Sequence, residues 1–376
     1  MLQQKALKDT IKIGILLPQS KEYPKLAKEF LDGIKLYFSI HENNFSCGKV
    51  ELIVEDIGFG TERASLEKTR KLLTLDEVTI IAGLMEFNTA IKIGEVAEIM
   101  DVPVLIGGLG ETKIDVSKVP DNLYFHSFML WQSLFELGKY VGKHFPEDHL
   151  SVITSLFDVG YDSYRAFFLG LKSSASTEHT LFISKAYDGD ELLEDLAVNF
   201  PLNKEHNYCL LLHPKLLNGL LKKAVLDVSK VIVTPFSTHY KGEQYSSFVS
   251  LSNSSATYVE FSEGISDYFS VQPSVHHALG YQQGQLLYSA VKNLKSHTDD
   301  ASSIYDAWDG FNEETVTGLT TYSSTSRHFE SDFYISKRID ESQLDLEKRD
   351  SVKIMESEIE DLLAAKNSYT NPYLFM

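Results

Sequence analysis

The chain has 376 residues, a formal net charge of -18, 43% hydrophobic residues and two cysteines. A chain this long is expected to divide into two domains, since single hydrophobic cores rarely grow past about 250 to 300 residues. Its acidity, with no Lys/Arg stripe, argues against nucleic acid or an anionic membrane surface as a partner.

Cys47 and Cys209 stand apart from any CxxC or Cys/His array, which argues against a disulfide framework and a structural zinc site. No apolar run approaches the roughly 20 residues of a membrane span. The opening MLQQKALKDT lacks the segments of a secretion signal, so the chain is expected to be either cytoplasmic or exported with its leader removed.

After a polar lead-in, residues 11–17 read as a strand that stops at Pro18-Gln19-Ser20. Residues 25–40 place Leu26, Phe30, Ile34 and Phe38 on one helical face. A strand over 50–55 and a helix over 61–74 follow, the helix carrying Ala64, Leu66, Leu72 and Leu73 among charges. Residues 78–112 then hold a complete βαβ crossover. Val78, Ile80 and Ile81 form its first strand, Ala90, Ile93, Ala97 and Met100 recur at helical spacing, and residues 103–106 start its second strand. Such alternation predicts a doubly wound parallel sheet, whose ligands sit beyond the carboxyl ends of the strands. The loops 83–89 and 107–112 are therefore expected to face one crevice.

A short extended segment over 122–127 leads into a helix over 131–144, and the alternation restarts. Strands are expected at 150–155, 181–186, 208–212 and 231–234, with helices at 161–173, 191–200 and 216–226. The second half repeats the pattern of the first but not its residues, which predicts two α/β units of similar fold. Beyond Pro235 the pattern changes. Residues 256–261 read as extended, 273–294 as a long amphipathic helix with Ala278, Leu279, Tyr281, Leu286, Leu287 and Val291, and 303–309 as a short helix. Strands are expected at 318–322 and 331–336, and a terminal helix at 352–365 in the charged tail.

Signals for catalysis are weak. Gly58-Phe59-Gly60 and Gly107-Gly108-Leu109-Gly110 do not complete GxGxxG in the first βαβ unit, and neither a P-loop nor a GxSxG elbow is present. His276 and His277 are adjacent on a helix and point in different directions, unlike the i, i+4 pair of a helical zinc site. No cofactor, metal site or catalytic residue is expected, and an α/β enzyme is the weakest reading.

Several segments follow one another in a known order: IKIGILLPQS at 11–20, a helix containing Asp32-Gly33, and ELIVEDIGFGTERASLEKTRKLL at 51–73. IIAGLMEFNTA at 80–90, VPVLIGG at 102–108 and NLYFHSF at 122–128 come next. SVITSLFDVGYDSYRAFFLGLK at 151–172, LGYQQGQLLYSAVKN at 279–293 and TVTGLTTYSS at 315–324 complete the series. In this order and spacing the chain resembles the type I periplasmic binding proteins, in the branch of ABC-transporter receptors for branched-chain amino acids (Leu/Ile/Val).

The resemblance implies a clamshell of two Rossmann-like, doubly wound parallel-sheet lobes joined by a three-crossover hinge. Lobe 1 would be 1–125 plus 258–327, and lobe 2 would be 126–257 plus 328–376. It also implies capture of a small polar ligand, an amino acid or related compound, in the cleft between them for an ABC importer. The expected partners are that small molecule and the transporter's membrane subunits, without nucleic acid or membrane insertion, in an extracytoplasmic location. A ligand-sensing regulatory or receptor domain of the same fold is the alternative.

In amino-acid receptors of this family the loops after the third and fourth strands of lobe 1 hold the ligand carboxylate. Carried over, these are Phe87, Asn88 and Thr89, with Glu86 beside them as a further candidate, and Gly108, Leu109 and Gly110. Asn88 and Thr89 fit two compatible roles, ligand donor or N-cap of a helix starting at Ala90, because a helix N-terminus offers free N–H groups to an anion. The opposite wall would take Tyr161, His213, Phe236 and Ser237, and the late helix Tyr281. Plainer readings stand beside these: Tyr161 as a surface residue at a helix start, His213 as a loop residue, Tyr281 as core. Trp131 is expected near the hinge. Glu86 and Glu111 depart from the family pattern. A carboxylate ligand meets repulsion there unless both acids point away, which opens the site to a polar or cationic ligand.

Overall fold

The structure is a computed structural model that describes residues 10–21, 23–41, 49–144, 149–156, 162–174, 179–203, 206–212, 214–223, 231–233, 245–249, 255–294, 301–331, 333–338 and 344–349. Strand β1 (Thr10–Leu17) pairs in parallel with β2 (Lys49–Asp56) on one side and β3 (Ile80–Leu84) on the other. Helix α1 (Leu26–His41) buries Leu26, Phe30, Ile34 and Phe38, one turn apart, as the apolar spacing predicts. Helix α2 (Glu62–Lys71) starts on the Thr61 hydroxyl, which accepts the Ala64 N–H, and runs into a π turn (Leu72–Asp76) that packs Leu72 against Gly14 of β1. Helix α3 (Phe87–Glu98), β4 (Val104–Gly108) and β5 (Leu123–Ser127) complete the first alternation.

The second runs through α4 (Leu130–His144), β6 (Leu150–Ser155), α5 (Asp162–Ser174), β7 (His179–Ser184), α6 (Gly189–Asn199), β8 (Asn207–Leu211), α7 (Pro214–Lys223), β9 (Val231–Val233) and β10 (Tyr245–Val249). Then come α8 (Ala256–Phe269), α9 (Val275–Val291), α10 (Ser302–Asp309), β11 (Asn312–Thr315), β12 (Gly318–Ser323), β13 (His328–Ser331), β14 (Phe333–Arg338) and β15 (Leu344–Arg349). Two sheets result, ordered β2-β1-β3-β4-β5-β13-β12-β11 and β7-β6-β8-β9-β10-β14-β15. The first is parallel from β2 to β13 and the second from β7 to β10, and antiparallel strands close the other edge of each.

Helices cover both faces of the first sheet. On one face α1, α8 and α9 bury Phe30, Ile34, Phe261 and Leu279 against Ile13, Ile15 and Leu105; on the other α3 buries Ala90, Ile93 and Ala97 against Ile81, Val104 and Ile106. Helices α1 and α9 touch backbone to backbone. A Cβ on Gly280 would lie 1.9 Å from the Phe30 carbonyl oxygen, so glycine there is required by the approach. The second sheet is covered likewise, with Phe167 and Leu171 of α5 on one face and Leu192 and Leu216 of α6 and α7 on the other.

The chain passes between the sheets three times: after β5, between β10 and α8, and between β13 in the first sheet and β14 in the second. The expected doubly wound α/β fold with two parallel-dominated units is what the structure has. The division expected after 125 falls inside β5, and that after 257 falls in the first turn of α8.

Some elements differ from the sequence reading. Residues 256–261, expected to be extended, begin α8: the Ser255 hydroxyl caps the helix by accepting the Tyr258 N–H at 3.0 Å, and Phe261 and Ile265 fall one turn apart in the core. The single strand expected over 331–336 is two strands of different sheets. Strands β10, β11 and β15 were not anticipated, because they are short or rich in polar residues and lack apolar alternation. The helix expected at 352–365 and Cys47 lie outside the described residues.

Candidate functional site

The pairing of β3 with β4 sets Leu84 opposite Gly107, so the loops that follow leave the sheet side by side at its carboxyl edge. After β3 the chain turns into α3, and the N-cap is Glu86, two residues before Asn88 and three before Thr89, the expected caps. Its carboxylate accepts the Thr89 N–H at 2.9 Å on Oε2 and the Asn88 side-chain amide on Oε1. Asn88 and Thr89 therefore lie in the first turn instead of capping a helix that starts at Ala90. Thr89 is buried and Asn88 is exposed.

Phe87 is buried against Phe125, ring centroids 4.8 Å apart, and stands over the end of β4: a Cβ on Gly108 would lie 2.7 Å from its ring. The next turn is pinned to α4. The Leu109 carbonyl accepts the Leu130 N–H at 3.1 Å and the Gly110 carbonyl accepts the Trp131 N–H at 2.8 Å. Gly110 has φ +80°, and a Cβ there would press on Ser127 Oγ at 2.6 Å, so conformation and space both require glycine.

Glu111 follows. It is 8% exposed, and its Oε2 has no hydrogen-bond partner. Burial pushes the carboxyl up to about 7, with the charges of Glu86 and Asp162 adding to the rise; the backbone amides of Glu111 and Gly110 oppose it. Asp162 arrives from the second sheet, as the first residue of α5 after β6, is 2% exposed, and accepts the Lys113 N–H at 2.8 Å. One hydrogen bond thus joins the loop after β4 to the loop side of the second sheet, two residues from Glu111.

The structure brings Glu86, Phe87, Thr89, Gly108, Leu109 and Gly110 to the carboxyl edge, as the sequence reading places them. Tyr281 is elsewhere. It is fully buried between Tyr37 and Phe261 on the α1–α9 side, with its hydroxyl donating to Glu260, so it is core and not part of the crevice. The run of apolar and small residues on a helix buried nearly all round carried that signal. Tyr161, His213, Phe236 and Ser237 lie outside the described residues. Asp162 and Glu111 were not among the expected ligand residues; an acid at the first position of a helix is ordinary dipole complementation, and only the fold shows that this one meets the opposite loop. His276 and His277 serve structure: His276 pairs with Glu29 at 3.3 Å, and His277 completes a capping box with Ser274. Among the described residues no group of three His, Cys, Asp or Glu side chains could hold a metal ion.

Two doubly wound sheets, crossed three times by the chain and joined near their carboxyl edges by the Lys113–Asp162 hydrogen bond, make a fold that solved solute-binding proteins of ABC transporters share. Among proteins of known sequence, the chain is similar to the Leu/Ile/Val-binding protein homolog 6 of Brucella abortus (strain 2308), 24% identical over 162 residues, 43% of this chain and 41% of that protein. The match spans less than half the length of that curated relative. No family model matches the sequence. Among solved structures, the solute-binding protein of an ABC transporter from Rhodopseudomonas palustris BisB5, in complex with 3,4-dihydroxybenzoic acid, superposes with a TM-score of 0.73 at 20% identity, over 92% of this chain and 99% of that one. The branched-chain amino acid transporter substrate-binding protein LivJ of Streptococcus pneumoniae, in complex with isoleucine, does so with a TM-score of 0.67 at 15% identity, over 90% and 100%. No helix among the described residues is long and apolar enough to cross a membrane.

Proposed function

We propose that the chain is a solute-binding protein that captures a small polar molecule between two lobes, 1–125 plus 258–327 and 126–257 plus 328–376, and presents it to the membrane subunits of an ABC importer outside the cytoplasm, without catalysing a reaction. The observation that carries this reading is the meeting of the two carboxyl edges, where Asp162 of one unit holds the Lys113 amide of the other beside a buried Glu111 carboxyl whose Oε2 has no partner. The crevice wall contributed by the first sheet is Glu86, Phe87, Asn88, Thr89, Gly108, Leu109 and Gly110; Tyr161, His213, Phe236 and Ser237 are assigned to the opposite wall on the family resemblance alone. Ligand binding favours the closed arrangement by its higher affinity for that state.

A thermal-shift screen over amino acids, amides, polyamines, aromatic acids and small sugars tests the reading, because a ligand held by the native state alone raises the melting temperature. The expected result is a saturable shift with one chemical class, accompanied by a smaller radius of gyration in X-ray scattering. A ligand that binds tightly without changing the radius of gyration removes the clamshell mechanism, and chemical turnover of that ligand removes the transport reading.

A further inference from the structure

We infer that the ligand presents a protonated amine to the wall formed by Glu86, Glu111 and Asp162, and carries no carboxylate at that wall. This deepens the solute-capture reading and rests on it. The first ground is that the usual seat for an anion is taken. The free N–H groups at the start of α3 are where a ligand carboxylate would be received, but the Glu86 carboxylate already accepts the Thr89 N–H at 2.9 Å. A second anion at the same turn would face a charge the chain itself supplies.

The second ground is Glu111. Its side chain is more than nine-tenths buried, and Oε2 has no partner while it sits within electrostatic reach of Glu86 and Asp162. A buried carboxylate oxygen left without a donor is costly, and the group that satisfies it must donate a hydrogen bond. A cation is favoured over a neutral donor because the neighbouring charges on Glu111 are both negative: Glu86 from the start of α3 and Asp162 from the start of α5. Among the described residues neither Glu86 nor Glu111 forms an ion pair with Lys, Arg or His.

The experiment is isothermal titration of the full chain at pH 8 with two sets of probes: butylamine, putrescine and agmatine as amines, and butyrate and 4-hydroxybenzoate, which carry no amine, as carboxylates. At least one amine is expected to bind, about tenfold tighter at pH 8 than at pH 6, since Glu111 gains its charge between them. E111Q is expected to weaken that amine at least tenfold and to flatten the pH dependence, and E86Q to weaken it without flattening it. If the carboxylates bind and the amines do not, the inference is overturned while solute capture stands. If no amine binds and E111Q changes nothing, the inference falls as well. If, in addition, no compound of the broader screen binds, the capture reading falls with it.

Discussion

Glu111→Gln is a direct test of whether a buried carboxyl with a free Oε2 sits in the crevice, because it separates a stability effect from a binding effect. Burial holds the Glu111 carboxyl at about 7, against 4.5 when it is free in the unfolded chain. Between those values the folded state keeps a proton that the unfolded state has released, so folding takes up a proton and stability falls as pH rises from 4.5 to 7. At about 1.4 kcal/mol per pH unit the full loss is on the order of 3 kcal/mol, reached above pH 7. Glutamine keeps the shape and a donor but carries no charge. E111Q is thus expected to match the parent near pH 4 and to exceed its stability by about 2 to 3 kcal/mol at pH 8. Urea unfolding at half-unit intervals from pH 4 to pH 8 measures this. The difference between the two proteins is the informative quantity, since other titrating groups cancel in it. A difference that is constant with pH, or an E111Q protein less stable than the parent at pH 8, refutes the buried carboxyl with its free Oε2 and the ligand inference built on it.

Other substitutions probe the frame around the crevice. G280A places a Cβ 1.9 Å from the Phe30 carbonyl oxygen, forces α1 and α9 apart, and is expected to cost about 2 to 3 kcal/mol in urea unfolding; an unchanged midpoint refutes the backbone contact. Tyr281→Phe loses the hydrogen bond to Glu260, so it is expected to lower stability by about 1 kcal/mol and leave ligand affinity unchanged, whereas Tyr161→Ala is expected to weaken binding with little loss of stability. The reverse pattern would exchange their assignments. His328 is held neutral by burial, down to about 4 from 6.5, so its contribution is complete above pH 6.5 and is lost as pH falls toward 4, about 3 kcal/mol in all. His328→Gln is expected to flatten that acid limb; an unaltered slope from pH 6.5 to pH 4 counts against it.

The parallel core of both sheets was legible because its strands are short continuous apolar runs and its helices carry one-sided apolar spacing: residues 150–155 were read as the strand that β6 is, and Leu26, Phe30, Ile34 and Phe38 as the buried face that α1 has. What escaped was what other parts of the chain decide. Ala256 to Phe261 carries Tyr, Val and Phe, which favour strands in isolation, yet it becomes helical because Phe261 has a place to pack on Tyr281 and the Ser255 cap starts the turn. The break between β13 and β14 cannot be seen along the sequence, since both sides are extended and only their partner strands, β5 and β10, differ. At the site, position was legible and direction was not. The loops after β3 and β4 were located, but that Glu86 turns onto its own helix while Glu111 turns inward depends on the Gly110 conformation and on the first turn of α4.

That first turn of α4 also links the crevice to the crossings between the sheets. The Met129 N–H donates to Ser127 Oγ at 2.9 Å, and Ser127 Oγ lies 2.9 Å from His328 Nε2. His328 Nδ1 lies 2.8 Å from the Phe329 carbonyl, which can only accept, so the neutral ring carries its proton on Nδ1, and Nε2 accepts from the Ser127 hydroxyl. The Ser331 N–H contacts Met129 Sδ at 3.3 Å. The crossings after β5 and after β13 are therefore held to each other, next to the residues that pin Leu109 and Gly110. At the wall beside this junction Glu86 and Asp162 are like charges within electrostatic reach of Glu111, and the electrostatic cost of holding the three together falls when the occupant is positive. Under the proposed hinge closure, a cationic ligand would favour the arrangement that keeps the acids together and so supply the differential affinity a hinge requires, whereas an anion at this wall would oppose its own capture.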